Sequence, residues 1–127
     1  MAISQLRARR KVSGGRYKRI SKKTKNKGKL PILVNIGKFR KKIDIVRAGH
    51  VKFRILNAEM ANVYDPKTKK HFQAKIEAVV ENASNTHYVR RNILNKGAII
   101  KTDKGNAKIT SRLGQEGSIN AILLKEK

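Results

Sequence analysis

The sequence predicts an all-β fold: a small β-barrel with one short inserted helix and a long basic N-terminal extension. Three observations support this prediction. Apolar and polar residues alternate with a period of two in several short segments. Turn-forming sequences separate these segments. Residues 1–54 hold nineteen Lys or Arg against one acid, whereas residues 55–127 hold thirteen against seven acids.

The basic arm, residues 7–29, reads RARRKVSGGRYKRISKKTKNKGK and contains twelve Lys or Arg and no acid. Extended at ~3.4 Å per residue, it spans ~78 Å, so a cation occurs every ~6–7 Å. This spacing is shorter than the Debye length of ~8 Å at physiological salt, so the charges repel one another. Such a segment buries little on its own, and we expect it to become ordered only around a polyanion.

The net charge of +24 leaves nucleic acid, an anionic membrane surface and a polyacidic protein as candidate partners. Nucleic acid fits best, because a phosphate backbone offers anions at a comparable density. The sparse apolar residues of the arm share no helical face that would enter a membrane. An Arg-rich transit peptide is an alternative, but a Gly pair interrupts the run and no amphipathic stripe is present. We expect no signal peptide, no membrane-spanning segment and no membrane partner.

Ser13, Gly14 and Gly15 interrupt the basic arm just before Arg16 and Tyr17. Glycine lets a backbone approach a phosphate closely or adopt a positive φ, and N–H groups in such a turn can form an anion nest. The Tyr17 ring can stack on an unpaired base. The alternative interpretation is a flexible kink in a disordered tail.

The rest of the chain is typical of short strands joined by turns. Alternation predicts strands at 42–45, 51–55, 72–81, 107–110 and 119–123, and shorter apolar stretches lie at 32–36, 60–64 and 98–100. We therefore expect residues 1–40 to be a basic extension that binds nucleic acid, extended or disordered when free, and residues 41–127 to form the barrel domain.

Three turn sequences separate the predicted strands. DPKTKK at 65–70 suits a type I turn, and DKGN at 103–106 is a hairpin signal with Gly105 in a left-handed conformation. GQEG at 114–117 predicts a further loop. Closing such strands into a barrel would remove exposed sheet edges.

One segment, NTHYVRRNILNKG at 85–97, departs from the strand pattern and predicts a helix of about two turns. Val89 and Ile93 have the spacing of one helical face. Asn85 or Thr86 can cap the start of this helix, and Gly97 can cap its end.

Arg90 and Arg91 fall on the solvent side of the predicted helix. They either contact phosphate or form only a solvated face. The number of other cations in the chain makes phosphate contact at least as good an interpretation.

The sequence shows no pattern of catalytic or metal-ligating residues. Cysteine is absent, and His50, His71 and His87 lack the spacing of zinc ligands. No tight carboxylate pair, nucleophile motif or phosphate-binding loop is present. We therefore expect a protein that is not an enzyme and that needs neither a cofactor nor a metal.

Three blocks of sequence resemble a known family: QLRARRKVSGGRYKR (5–19), ANVYDPKTKK (61–70) and AKIEAVVENASNTHYVRRNILNKGAIIKT (74–102). The family is the eighth small-subunit ribosomal protein of the archaeal and eukaryotic type, which is unrelated to the bacterial protein of the same ordinal. The resemblance covers nearly the whole chain. The length is similar to archaeal members, because the larger eukaryotic ones carry an internal insertion.

The resemblance implies a small β-barrel core with a long basic N-terminal extension that binds small-subunit rRNA. It also implies a cytoplasmic location in the ribosome, with neighbouring ribosomal proteins as partners; we expect no homo-oligomer. The family's Ser/Thr-Gly-Gly element corresponds to Ser13, Gly14 and Gly15. Residues 20–42 match the family less well, so contacts there are inferred from composition.

The expected function is that of a structural constituent of the small ribosomal subunit, bound to rRNA through the phosphate backbone and through shape. Two alternatives remain: a ribosome-assembly factor of the same fold family, and a generic nucleic-acid-compacting protein. The candidate rRNA-binding residues are cations and the turn between them: Arg7, Arg9, Arg10, Lys11, Ser13, Gly14, Gly15, Arg16, Tyr17, Lys18, Arg19, Lys22, Lys23, Arg40, Lys41, Lys42, Arg47, Lys52, Arg54, Arg90 and Arg91.

Overall fold

The structure is a computed structural model that describes residues 8–18, 28 and 30–124. The chain divides into two compact units, Met1–Pro31 and Ile32–Lys127. The described part of the first unit includes a small hairpin around a bridge between Arg10 and Arg16. Within the described residues, the second unit consists of nine strands and one short α-helix.

Most strands follow one another with short connections, and a longer loop joins β8 to β9. A 3₁₀ turn at Arg47–Gly49 joins β2 to β3, and the helix α1 lies between β5 and β6. In chain order the elements are β1 (Val34–Ile36), β2 (Arg40–Ile45), β3 (Val51–Ala58), β4 (Met60–Asp65), β5 (Lys70–Glu81), α1 (His87–Arg90), β6 (Ile93–Leu94), β7 (Ile99–Thr102), β8 (Gly105–Ile109) and β9 (Asn120–Leu123).

Five strands form a closed barrel in the order β4-β5-β7-β8-β9. Neighbouring strands are antiparallel except for β4 and β9, whose parallel pairing from Asn62↔Asn120 to Tyr64↔Ile122 closes the barrel. Five strands leave a narrow interior. Alanine at four inward positions fits that space: Ala61, Ala74, Ala107 and Ala121 are all at most 2% exposed.

The other four strands form a sheet in the order β2-β3-β1-β6. Val34, Ile55 and Leu94 of this sheet are buried in the same apolar cluster as Val63 and Ile100 of the barrel. The sheet and the barrel therefore share one core. An all-β fold with a closed barrel and one short helix is confirmed. The long basic extension remains a prediction, because much of the basic arm lies outside the described residues.

The predicted turns occur where the sequence places them. Asp65 ends β4 and accepts hydrogen bonds from the Lys67 amide and the Thr68 hydroxyl, both at 2.8 Å. Gly105 begins β8 with a φ of +120°, which favours glycine. The 114–117 loop lies between β8 and β9.

The predicted helix is much shorter than two turns, and this part of the prediction is wrong. The α-helix covers only His87–Arg90, and Ile93 belongs to a strand rather than to a helical face. Asn92, with a φ of +50°, stands where a left-handed residue ends the turn, so Gly97 is not the cap. At the start, Asn85 is the capping candidate that is used: its Oδ1 accepts from the His87 amide at 2.9 Å.

Candidate nucleic-acid interface

The SGG element of the basic arm is the turn of a hairpin running from Arg9 to Tyr17. The Lys11 amide donates to the Gly15 carbonyl at 2.8 Å, and the Gly14 amide donates to the Lys11 carbonyl at 3.0 Å. The Tyr17 amide donates to the Arg9 carbonyl at 3.2 Å. This is the pattern of a three-residue hairpin loop with a left-handed last residue, and Gly14 has a φ of +81°.

The hairpin holds like charges against each other. Arg10 and Arg16 are directly opposite across the strands. Every charged residue from 8 to 18 is a cation, and the five of them, Arg9, Arg10, Lys11, Arg16 and Lys18, are exposed. Like charges directly opposite in a strand pair are destabilising. A bound anion would relieve that repulsion.

Tyr17 lies on the same side of the hairpin as Lys11, whose Nζ is 5.6 Å from the centre of the tyrosine ring. On the other side, an Arg10 guanidinium nitrogen donates to the Gly14 carbonyl at 3.2 Å and braces the turn. The hairpin can therefore present an aromatic ring and cations together, as single-stranded nucleic-acid sites do.

The β2–β3 ribbon, residues 40–54, carries the second group of candidate cations. Pairing of β2 with β3 places Lys42 opposite Arg54 and Asp44 opposite Lys52 on one face. Lys41 is on the other face, with its Nζ 5.1 Å from the Phe53 ring centre. Arg40 begins β2, and Arg47 is exposed in the turn at the tip of the ribbon.

Arg54 differs from the other described candidate cations because its contact with an anionic partner is close and largely shielded from solvent. Its Nε lies 2.7 Å from Asp44 Oδ2, and the two side chains are 21% and 15% exposed. The N–H is not directed well enough for a hydrogen bond, so the contact is electrostatic. Lys42 Nζ is 3.7 Å from the other oxygen of Asp44 but remains 61% exposed. Lys42 is therefore the more available of the two cations for a phosphate.

The third group, Arg90 and Arg91, is exposed at the end of α1. Asparagine side chains fix the segment on both sides of these arginines. Asn82 Nδ2 donates to Asn95 Oδ1 at 2.8 Å, while Asn82 Oδ1 accepts from the Ser84 amide at 3.1 Å.

Sequence reasoning missed this asparagine framework. Asn82 is 4% exposed, so its amide must find partners within the protein. The available signal was the density of asparagine in NASNTHYVRRNILN, residues 82–95. Asparagine tolerates left-handed backbone and bonds to nearby amides.

Within the second unit, the described candidate cations do not form one cluster. In the four-stranded sheet, β2 is one edge strand, and β6, which closely follows Arg90 and Arg91, is the other. The β2–β3 ribbon and the turn that carries Arg90 and Arg91, which we call the arginine turn, therefore belong to opposite edges of this sheet. The hairpin belongs to the separate N-terminal unit. Four candidates lie outside the described residues: Arg7, Arg19, Lys22 and Lys23.

Among the described residues, no group of three or more His, Cys, Asp or Glu side chains could hold a metal ion. No helix in the described part of the chain is long and apolar enough to cross a membrane. The pKa of Asp65 lies below its usual 3.8, because the Lys67 amide and then the Thr68 hydroxyl bond to the carboxylate.

Comparison with known proteins gives one consistent family. A family model described as ribosomal protein S8e matches residues 4–124. The small ribosomal subunit protein eS8 of Picrophilus torridus is 45% identical over 125 residues, which are 98% of this chain and 100% of that protein. The Methanococcus aeolicus protein of the same name is 46% identical over 128 residues (99% and 100%). The one from Methanosphaerula palustris is 49% identical over 117 residues (91% and 94%).

Proposed function

The chain belongs to the ribosomal protein S8e family, and we propose that it is a structural, non-catalytic constituent of the small ribosomal subunit that binds rRNA. The observation that carries the rRNA-binding part is the hairpin around Gly14. It has four exposed cations, with Lys18 directly after them as a fifth, a strand pair formed by two arginines, and no carboxylate. Such a surface is stable only with counterions around it, and RNA phosphates supply them permanently.

Backbone and shape contacts are the recognition mode that these residues support. The A-form major groove is too narrow for side chains to read base edges. Arg and Lys contacts to phosphate position a protein without reading sequence. The ribbon and the arginine turn suit a folded RNA, because they lie at opposite edges of the four-stranded sheet and can contact phosphates of different helices.

The test is the salt dependence of binding to small-subunit rRNA by the full-length chain. If each of the five cations from Arg9 to Lys18 neutralises one phosphate, this segment alone contributes a slope of about −4 to a plot of log affinity against log salt. A flat plot would contradict the proposal. A variant with Arg10→Gln and Arg16→Gln should bind at least about tenfold more weakly and reduce the slope by about 2.

The matched control is the pair Lys67→Gln and Lys69→Gln, which removes the same charge from the exposed loop between β4 and β5. We expect it to change affinity less than threefold. Equal losses in the two variants would mean that net charge, and not the hairpin, drives binding. Competition with duplex DNA tests the compaction alternative. Stoichiometric presence in mature, salt-washed subunits separates a constituent from an assembly factor.

A further inference from the structure

The outer part of the β2–β3 ribbon is a two-stranded structure that extends beyond the four-stranded sheet. β2 and β3 pair from Lys41↔Ile55 out to Ile45↔Val51. The strand β1 pairs with β3 only at Asn57 and Ala58. Two-stranded ribbons are marginally stable in water unless one face packs against something.

One face of this ribbon is apolar and exposed. The directly opposed pairs Ile43↔Phe53 and Ile45↔Val51 lie on the same face. We call these four side chains the apolar ribbon face. Their exposed fractions are 55%, 41%, 81% and 47% for Ile43, Phe53, Ile45 and Val51. A contiguous apolar patch of this kind on a soluble protein marks an interaction surface.

The charges that the ribbon itself places around the apolar ribbon face are positive, whereas Glu116 is exposed in the loop whose Gly117 lies close to Phe53. Lys41 shares that face, next to the Phe53 ring. Arg47 is exposed at the tip. The one carboxylate of the ribbon, Asp44, is on the opposite face and is paired with Arg54. A surface that covers the apolar ribbon face must therefore be apolar at its centre and negative at its rim.

A protein surface fits these requirements better than RNA does. Ile43, Ile45 and Val51 have no π face on which a base can stack. The fourth side chain, Phe53, has the Lys41 ammonium over its ring. The loop at Gly117 lies against the Phe53 Cβ, since a Cβ added to Gly117 would be 3.2 Å from it. Base recognition relies on exposed aromatic or guanidinium planes. A second copy of the chain is a poor fit, since two cationic rims would repel each other.

We propose that the apolar ribbon face docks on another protein of the small ribosomal subunit, at an apolar patch bordered by Asp and Glu. This inference rests on the proposed function. It assigns the RNA contacts to the cations of the hairpin, of the arginine turn and of the polar face of the ribbon, and a protein contact to the apolar ribbon face. The ribbon's opposite face, with Lys42 and Lys52, stays open to RNA.

The first experiment places the photo-crosslinking residue p-benzoylphenylalanine at position 45 of the full chain in cells. Small subunits are purified, salt-washed and irradiated, and the products are digested with nuclease and protease for mass spectrometry. We expect a crosslink to one subunit protein, next to Asp or Glu residues. The same probe at position 16 should crosslink to rRNA.

Several outcomes would overturn the docking proposal. These are a crosslink from position 45 to rRNA, to the same chain or to a second copy, or no crosslink in subunits that contain the variant. Absence of the chain from washed subunits, with or without the probe, would overturn the proposed function and the docking with it. The two failures are therefore distinguishable.

The second experiment replaces Ile43 and Ile45 by serine in the full chain. We expect the rRNA dissociation constant of the isolated protein to change less than twofold, while its occupancy in washed subunits falls at least about fivefold. The control is Ile122→Ser, which alters an isoleucine on the barrel that is 40% exposed; its occupancy should match the wild type. Unchanged occupancy of the double variant, or an equal loss of rRNA affinity, would contradict the proposal.

Discussion

The Val79 backbone amide donates a hydrogen bond to Oδ1 of Asn92 over 3.1 Å. Val79 is 5% exposed, in the long strand β5 of the barrel. Asn92 immediately follows Arg91 and has a left-handed φ of +50°. The backbone of Asn92 therefore ends the helical turn. Its side chain pairs with the buried Val79 amide and holds the arginine turn against the barrel.

Replacing Asn92 by alanine should lower the free energy of unfolding by roughly 2–4 kcal/mol. The substitution leaves the buried Val79 N–H unpaired, and alanine lacks the polar side chain that lets asparagine adopt a positive φ at lower cost. Asn92→Gly keeps the backbone conformation and should lose roughly half as much. Asn92→Asp keeps the acceptor and should stay within about 1 kcal/mol of the wild type. Urea unfolding at a constant slope measures all three. An Asn92→Ala variant as stable as Asn92→Asp would contradict this role.

Gly14→Ala should weaken rRNA binding by about fivefold to thirtyfold, because a left-handed Ala costs about 1–2 kcal/mol in the hairpin turn. Gly15→Ala is the matched control. Gly15 has no positive φ, and a Cβ there would meet Ser13 Oγ at an ordinary 3.8 Å. Filter-binding titrations with small-subunit rRNA compare the two variants. Equal affinities would show that the turn conformation does not contribute to binding.

Asp44→Asn should lower the free energy of unfolding by about 1 kcal/mol, since it removes the partner of Arg54 in a partly exposed ion pair. The same variant should bind rRNA more tightly, because Arg54 and Lys42 become available and a carboxylate no longer repels phosphate. Urea unfolding and an rRNA titration measure the two effects.

The control for Asp44→Asn is Glu77→Gln, which makes the same change in net charge. Glu77 pairs with Lys101 at 3.2 Å, but these side chains are 48% and 62% exposed. We expect a change in unfolding free energy below about 0.5 kcal/mol. Equal losses of unfolding free energy in both variants would contradict the larger stabilisation that we assign to the less exposed Asp44–Arg54 ion pair.

The Asp65 carboxyl should titrate below 3.8, because its charged form accepts hydrogen bonds from Lys67 and Thr68. Its pKa is depressed in the folded protein. Its contribution to stability is therefore present above the unfolded value of about 3.9 and is lost as the pH falls through the folded pKa. Carboxyl ¹³C shifts followed by NMR give the midpoint.

Thr68→Val should raise the pKa of Asp65 only part of the way towards 3.8, since the Lys67 amide bond, the larger cause, remains. An unchanged midpoint in Thr68→Val would mean that the hydroxyl does not contribute. A wild-type midpoint at or above 3.8 would contradict the turn geometry itself.

Local pattern was enough to predict most strands and turns, because the direction of a side chain along a strand depends only on its own backbone. It failed for the helix at 85–97. There the helix ends after one turn, before the left-handed Asn92, whose side chain accepts a hydrogen bond from Val79, thirteen residues earlier. Nothing in the sequence around Asn92 or Val79 indicates that these two residues are in contact.

The same limit applies to the candidate site. A count of cations does not distinguish Arg54 from Lys42, whereas the pairing of β2 with β3 gives Arg54 the closer contact with Asp44. Alternation in 43–53 correctly predicted strands, but it did not show that the apolar side of this ribbon faces outward. Periodicity identifies a face and not what covers it.

The sequence by itself determined most of the strands and the cationic character of the N-terminal segment, because each depends on neighbouring residues alone. Only the tertiary structure decided the parallel closure of β4 on β9, the pairing of Arg54 with Asp44, and the exposure of Ile45 at 81%. These features join or separate residues distant in the chain. They result from how the strands share one small core, which is a property of the whole fold.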